Sequence, residues 1–322
     1  MIKLDKKDVK ILQQLDLDAR QSISAIARKI GLSVESTNYR IKQLEKKGVV
    51  QGYYSLYNVA LLGYNLYKIY LKLQNISKRK EEEFIKYLNS IGEVGLIATS
   101  TGNYDLEIGI VGENLVNFHS ILDRITKDYG ICIKSKEVTT NIEMWQYNRK
   151  YLFEGGGRVV KEFYYFGKEK SKKFDKTDAR ILKYLGPNGR KNNAEIEKEL
   201  GISRKVVGYR IKNLIKNNII LGFRPIINRD ILGLSYFRVL IKLQSIKEER
   251  LKQLFGYFKA HPNVVYLIKC IGPWELEIEV EIEGGKKCHD LVMEIKHNFH
   301  DIVAETQIIE IFKDYKYEFV IT

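Results

Sequence analysis

Apolar residues near the start of the chain recur at helical spacing: Val9, Ile11, Leu12 and Leu15 share one face between Asp5 and Leu15. A second helix is predicted near Ser24 to Ile30, closed by Gly31, which readily takes a left-handed backbone. Ser33 then stands where a hydroxyl caps a third helix running to about Lys47. On that helix Thr37, Ile41, Leu44 and Gly48 fall on one side and must pack inward. Glu35, Ser36, Tyr39, Lys42, Gln43 and Lys46 face outward, with Arg40 on the flank. A β-like stretch from Val49, VVQGYYSLYN, reads as a hairpin wing beside the helices. From Leu66 the period becomes two, and the order strand, helix, strand, strand, helix, strand predicts a ferredoxin-like sheet with helices on one face.

The whole pattern then occurs again. LDKKDVKILQQL at Leu4 corresponds to FDKTDARILKYL at Phe174, YRIKQL at Tyr39 to YRIKNL at Tyr209, and LKLQNI at Leu71 to IKLQSI at Ile241. The offset of 170 residues holds without a gap, and it carries His119 onto His289. Such self-similarity marks a tandem duplication. The expected fold class is therefore α+β: two winged helix-turn-helix domains and two ferredoxin-like (βαββαβ) domains. Their expected bounds are 1–60 and 61–150 for the first copy and 173–230 and 231–322 for the second. Between the copies, 151–172 reads as a linker, with Gly155-Gly156-Gly157 and the charged run KEKSKK, although VVKEFYYF should pack somewhere.

Charge adds a partner to this picture. Lys and Arg number 54 against 40 Asp and Glu, a formal net charge of +14. A basic excess on the outward side of a third helix suits nucleic acid, because cations neutralise phosphate and amide or guanidinium groups bond base edges in the major groove. The candidate DNA-binding residues are Ser33, Glu35, Ser36, Tyr39, Arg40, Lys42, Gln43 and Lys46, with Ser203, Arg204, Lys205, Tyr209, Arg210, Lys212, Asn213 and Lys216 in copy two. Arg40, Lys42, Arg210 and Lys212 are the phosphate candidates; Tyr39, Gln43, Arg204, Lys205, Tyr209 and Asn213 should approach bases. Arg224, in the second β-like stretch, is a further candidate for phosphate. Three scattered cysteines, Cys132, Cys270 and Cys288, suggest neither a disulfide framework nor a zinc module. With no long apolar run and no signal-peptide pattern, a cytoplasmic protein without a membrane span is expected.

The N-terminal helices resemble the helix-turn-helix of the Lrp/AsnC (leucine-responsive, feast/famine) transcription regulators. The residues that carry the resemblance are Leu4-Asp5, Asp8, Ile11-Leu12, Asp18-Ala19-Arg20, Gly31-Leu32-Ser33, Arg40-Ile41, Leu44-Glu45 and Gly48-Val49. Copy two keeps Asp175, Asp178, Ile181-Leu182, Arg190, Gly201, Ser203, Arg210-Ile211 and Leu214. It departs at Gly186-Pro187-Asn188-Gly189, and at Asn218 where copy one has Gly48. The sheet part resembles the RAM domain of the same family. The resemblance implies sequence-specific DNA binding, self-association through the RAM domains, and a small effector such as an amino acid near the strand-turn-strand motif. The matching positions are Thr101, Gly102, Asn103, Tyr104 and Asp105, with Gly272, Trp274 and Glu275 in copy two. Asp105 would accept from an ammonium group.

Neither catalytic residues nor a cofactor is expected. One alternative is a siroheme-decarboxylase-like enzyme, since those enzymes resemble this family in fold. Neither ATSTGNYDL nor IKCIGPWEL carries paired histidine and arginine, which speaks against it. The other is a metal-responsive regulator using Cys288, His289, His297 and His300.

Overall fold

Asp5 opens the first helix with a reciprocal cap: its carboxylate accepts from the Asp8 amide, while the Asp8 side chain takes the Asp5 amide. The computed structural model describes residues 4–153, 161–166, 171–244 and 247–317. In copy one, α1 (Lys6–Leu17), α2 (Ile23–Ile30) and α3 (Val34–Lys46) bury Ile11, Leu12, Leu15, Ile26, Ile41 and Leu44 against one another. Copy two repeats this in α6 (Lys176–Leu185), α7 (Asn193–Leu200) and α8 (Arg204–Lys216). Gly31 and Gly201 both close their helices at φ 67°, as the sequence demands. The exchange of Gly48 for Asn218 is harmless for the same reason. Both positions have positive φ, 71° and 57°, and asparagine tolerates that region better than other side chains.

The hairpin wing expected in each copy is replaced by a ribbon shared between copies. After α3 comes β1 (Val50–Tyr57), and after α8 comes β7 (Ile220–Ile227). They pair antiparallel, with Tyr53 opposite Pro225 and Tyr54 opposite Arg224. A single strand leads from each third helix into a 3-10 turn, at Val59–Leu62 and Asp230–Leu232, so its free edge finds the sister strand.

Below the ribbon, copy one contributes β2 (Asn65–Leu73), α4 (Lys78–Ser90), β3 (Val94–Thr101), β4 (Leu106–Gly112), α5 (Leu115–Tyr129) and β5 (Ile133–Tyr147). Copy two contributes β8 (Ser235–Leu243), α9 (Glu248–Ala260), β9 (Val264–Ile271), β10 (Leu276–Ile282), α10 (Gly284–Asn298) and β11 (Val303–Tyr317). Both show the predicted βαββαβ order. The last strand of each unit is shared. β5 pairs first with β2 and then crosses to β9, and β11 pairs with β8 and then crosses to β3. The strand order consequently closes on itself, leaving these edges paired.

Helices cover the outside of the ring. Phe84, Leu88, Ile121 and Ile125 pack on one sheet, and Leu254, Phe258, Leu291 and Ile295 on the other. Part of the expected linker is structured: β6 (Glu162–Phe166) adds to β5, burying Phe163 and Tyr165. The Gly155–Gly157 run, and Lys168 to Lys170 of the charged run, lie outside the described residues.

Between the two sheets the packing is ionic as well as apolar. Lys68 Nζ lies 2.5 Å from Glu277 and 3.5 Å from Glu107. Arg238, its counterpart in copy two, pairs with Glu107 and with Glu279 at 3.1 Å. Tyr70 donates to Glu277 at 2.6 Å. These groups are buried, so each charge depends on its neighbours for the solvation it has lost.

Candidate nucleic-acid interface and effector turns

Ser33 and Ser203 cap the two third helices, each accepting from the amide three residues on. The inward side is as expected: Thr37, Ile41 and Leu44 are buried, and so are Val207, Ile211 and Leu214. On the outward side Tyr39 and Tyr209 stand 64% and 66% exposed. Glu35, Lys42, Lys46, Arg204, Lys205, Lys212 and Lys216 are exposed around them, and Ser36, Gln43 and Asn213 are half-buried. Each third helix thus presents cations, amides and one tyrosine on a single face.

Two of the expected phosphate candidates have acidic partners within the fold. Arg40 Nη1 lies 2.7 Å from Asp5 and 2.8 Å from Asp8, and Arg210 Nη1 lies 2.6 Å from Asp175 and 3.1 Å from Asp178. Both guanidinium groups tie the third helix to the cap of the first instead of standing free on its outward face. Arg224 is also displaced from its expected task. It is fully buried beneath the ribbon, 2.8 Å from Asp16, and donates to the Tyr147 carbonyl at 2.7 Å. Its strand pairs across the copies, and this turns the side chain into the molecule.

Sequence reasoning missed what joins the two helix-turn-helix units. Arg20 donates to the carbonyls of Gly189 and Lys191, both at 2.7 Å, and Arg190 donates back to the Ala19 carbonyl at 2.8 Å. Arg20 also lies over Phe223 and Arg190 over Tyr53, each ring belonging to the ribbon. The signal was present in the recurrence of arginine at 20 and 190, but nothing local says which partner it takes. A double change, Arg20→Ala with Arg190→Ala, is expected to lower DNA affinity about tenfold or more by uncoupling the two helix pairs. Circular dichroism should show the strands of the ring unchanged.

The turns expected to hold an effector are more occupied than their sequence suggests. Asp105 Oδ1 pairs with Lys72 at 2.8 Å, and Oδ2 accepts from the Leu73 amide at 2.8 Å. Glu275 likewise accepts from the Leu243 amide at 2.7 Å. The acceptor role for an ammonium group expected of Asp105 is taken within the fold. Tyr104 and Trp274 are buried and meet Tyr70, at centroid distances of 5.3 and 5.0 Å. Thr101 is half-buried, whereas Gly102, Asn103 and Gly272 are exposed. Gly272 still has a tight neighbour: an added Cβ would sit 2.8 Å from the Val138 carbonyl and 2.7 Å from the Thr139 side chain. Because the carbonyl belongs to a paired strand and cannot yield cheaply, Gly272→Ala should cost about 1–3 kcal/mol, measured by urea unfolding.

The metal alternative gains no geometry. Cys288 is buried in the copy-two core, and among the described residues no three histidine, cysteine or acidic side chains gather as a ligand set. No helix among them is long and apolar enough to cross a membrane.

A family model described as winged helix-turn-helix DNA-binding matches residues 4–51 and 174–220, one stretch in each copy. The transcriptional regulator LrpA of Pyrococcus horikoshii is 38% identical over 96 residues, covering 27% of this chain and 68% of LrpA. The regulatory protein AsnC of Haemophilus influenzae is 28% identical over 122 residues, covering 38% of this chain and 81% of AsnC. Among solved structures, the siroheme decarboxylase NirDL has a TM-score of 0.65 over 97% of this chain and 92% of its own, at 14% identity. That likeness concerns the fold alone. With both helix-turn-helix units matched and a relative such as LrpA aligned over two thirds of its length, the chain belongs to the Lrp/AsnC family of transcription regulators, as a tandem duplication of the family's unit.

Proposed function

We propose that this chain is a sequence-specific DNA-binding regulator in which one polypeptide supplies both halves of the DNA-reading dimer. The observation that carries the proposal is the reciprocal lock of Arg20 and Arg190 against the shared ribbon, which holds two exposed third helices in one body. Crossing of β5 and β11 between sheets supports the same idea: the RAM units form an intrachain pseudo-dimer. Two recognition helices held this way address successive major grooves, about 34–36 Å apart along one face of the duplex.

The outward faces differ, with Val34 and Glu35 in copy one against Arg204 and Lys205 in copy two. The two half-sites therefore differ, and the operator is an imperfect palindrome. Lys42, Lys46, Lys212 and Lys216 contact phosphate. Tyr39, Gln43, Tyr209, Asn213 and Lys205 approach base edges, while Ser33, Ser36, Ser203 and Glu35 border the groove. Arg204 shares its charge with Glu197 at 3.3 Å until DNA competes for it. Pairs of chains associate further through the RAM surfaces. Protection of a promoter fragment against hydroxyl-radical cleavage tests the arrangement. Two unlike protected segments one helical turn apart are expected; two identical half-sites, or one protected segment, would refute it.

A further inference from the structure

The duplication supplies an internal comparison, because every position in copy two has a counterpart 170 residues earlier. Beneath the ribbon on the copy-one side, Val59, Leu66, Leu96, Val111 and Met144 are buried together in one apolar cluster. Beside Val59, Leu66 and Met144 only about 30 Å³ is left open. The same five positions in copy two hold Arg229, Tyr236, Tyr266, Glu281 and Asp314. All five line one cleft, of about 660 Å³. Five exchanges from apolar to polar or aromatic residues thus face one cavity, and they line open space where copy one is filled. The volume falls in the range of small-molecule sites, roughly 300–1,000 Å³.

The chemistry of the lining narrows the ligand. Arg229 and Asp314 form an ion pair at 2.5 Å, with both side chains partly open to solvent. The Arg229 guanidinium lies 3.9 Å from the Tyr236 ring centre, which fixes its plane. Glu281 is already committed, accepting from Arg149 at 2.9 Å and from Tyr151. Tyr236 and Tyr266 also have their hydroxyls engaged, with Glu279 and with Tyr317 respectively, so they offer their rings. A partly open ion pair is complementary to a zwitterion: a carboxylate takes the guanidinium fork, and an ammonium group takes the freed Asp314. Tyrosine rings alongside favour a flat side chain by offset or edge contact.

We infer that this cleft binds one free α-amino acid with an aromatic side chain, at a place separate from the strand-turn-strand motifs. Its position also gives it leverage. Arg229 stands two residues after β7, the strand that leads out of α8, while Asp314 lies on the stretch of β11 that crosses to the copy-one sheet. Occupancy pulls the ribbon and the ring against each other and so changes the setting of the second recognition helix. That coupling rests on the regulator reading; the binding itself does not.

The test is calorimetric titration of the full chain with L-tryptophan, L-tyrosine and L-phenylalanine. Tryptamine and indole-3-propionate, which lack one charge each, serve as comparisons. The expected result is one equivalent per chain, with affinity falling about tenfold or more for both comparison compounds and in Asp314→Asn. The nearly isosteric Asp314→Asn keeps the test interpretable even where a double change to the copy-one residues, Arg229→Val with Asp314→Met, fails to fold. Absence of binding by all three amino acids overturns the inference, as does unchanged affinity in folded Asp314→Asn or two equivalents per chain. DNA titration without amino acid is read separately, so loss of the regulator reading is distinguishable from loss of this site.

Discussion

Replacing Asp16 with alanine is expected to cost about 3–5 kcal/mol of stability, the loss typical of breaking one side of a buried ion pair. Asp16 is fully buried, 2.9 Å from Arg149 and 2.8 Å from Arg224, and also accepts from the Arg149 amide at 2.7 Å. At the junction of α1, the ribbon and the end of β5, alanine takes from Arg224 its carboxylate partner and leaves Arg149 with Glu281. Burial alone would raise the Asp16 carboxyl, but Arg224 and Arg149 outweigh it and hold it below its ordinary value of 3.8. A group depressed in the folded state stabilises fully above its unfolded value, and that contribution is lost as pH falls through the folded value. Wild type and Asp16→Ala should therefore differ fully at neutral pH and converge on acidification below about 4. Urea unfolding across pH measures both effects. A loss below about 1 kcal/mol at pH 7 would show that the junction does not depend on this pair.

The largest expected effect on DNA binding comes from the exposed lysines. Removing Lys42, Lys46, Lys212 and Lys216 together should make the dependence of log affinity on log salt shallower by about 3–4, at about 0.9 for each phosphate no longer neutralised. All four side chains are exposed on the third helices, and their removal disturbs no buried group. Affinity should fall alike for every sequence, whereas Tyr39→Ala or Tyr209→Ala should weaken preference at particular positions. Fluorescence anisotropy at four or more salt concentrations separates the two classes. An unchanged slope in the lysine variant would place the DNA elsewhere on the molecule.

Local chemistry made the helices legible. Asp5, Ser33, Ser203, Gly31 and Gly201 mark helix ends whatever they pack against, and the period of Ile41 and Leu44 marks the buried side. The βαββαβ order could be read for the same reason, since each element carries its own period. Pairing between copies could not. Nothing near Tyr54 indicates that its partner is Arg224, and β5 and β11 read as ordinary last strands whether or not they cross. The interior charges were misleading in a different way. Glu277, Glu279 and Glu281 alternate with Leu276, Ile278 and Val280, the usual mark of a strand with one face in water. Here that face meets another sheet, and Lys68 and Arg238 complete it. Arg40 and Arg210 show the limit at the site itself: a cation on a helix flank looks free until the acid from the next helix is in view.

Titration of labelled genomic promoter fragments over a range of salt, with the region upstream of the chain's own coding sequence included, tests whether both copies read DNA as one unit. Tight binding to a few fragments with a steep salt dependence, at one chain per half-site pair, is the expected result. Binding that is absent, or equally strong on every fragment, would contradict it.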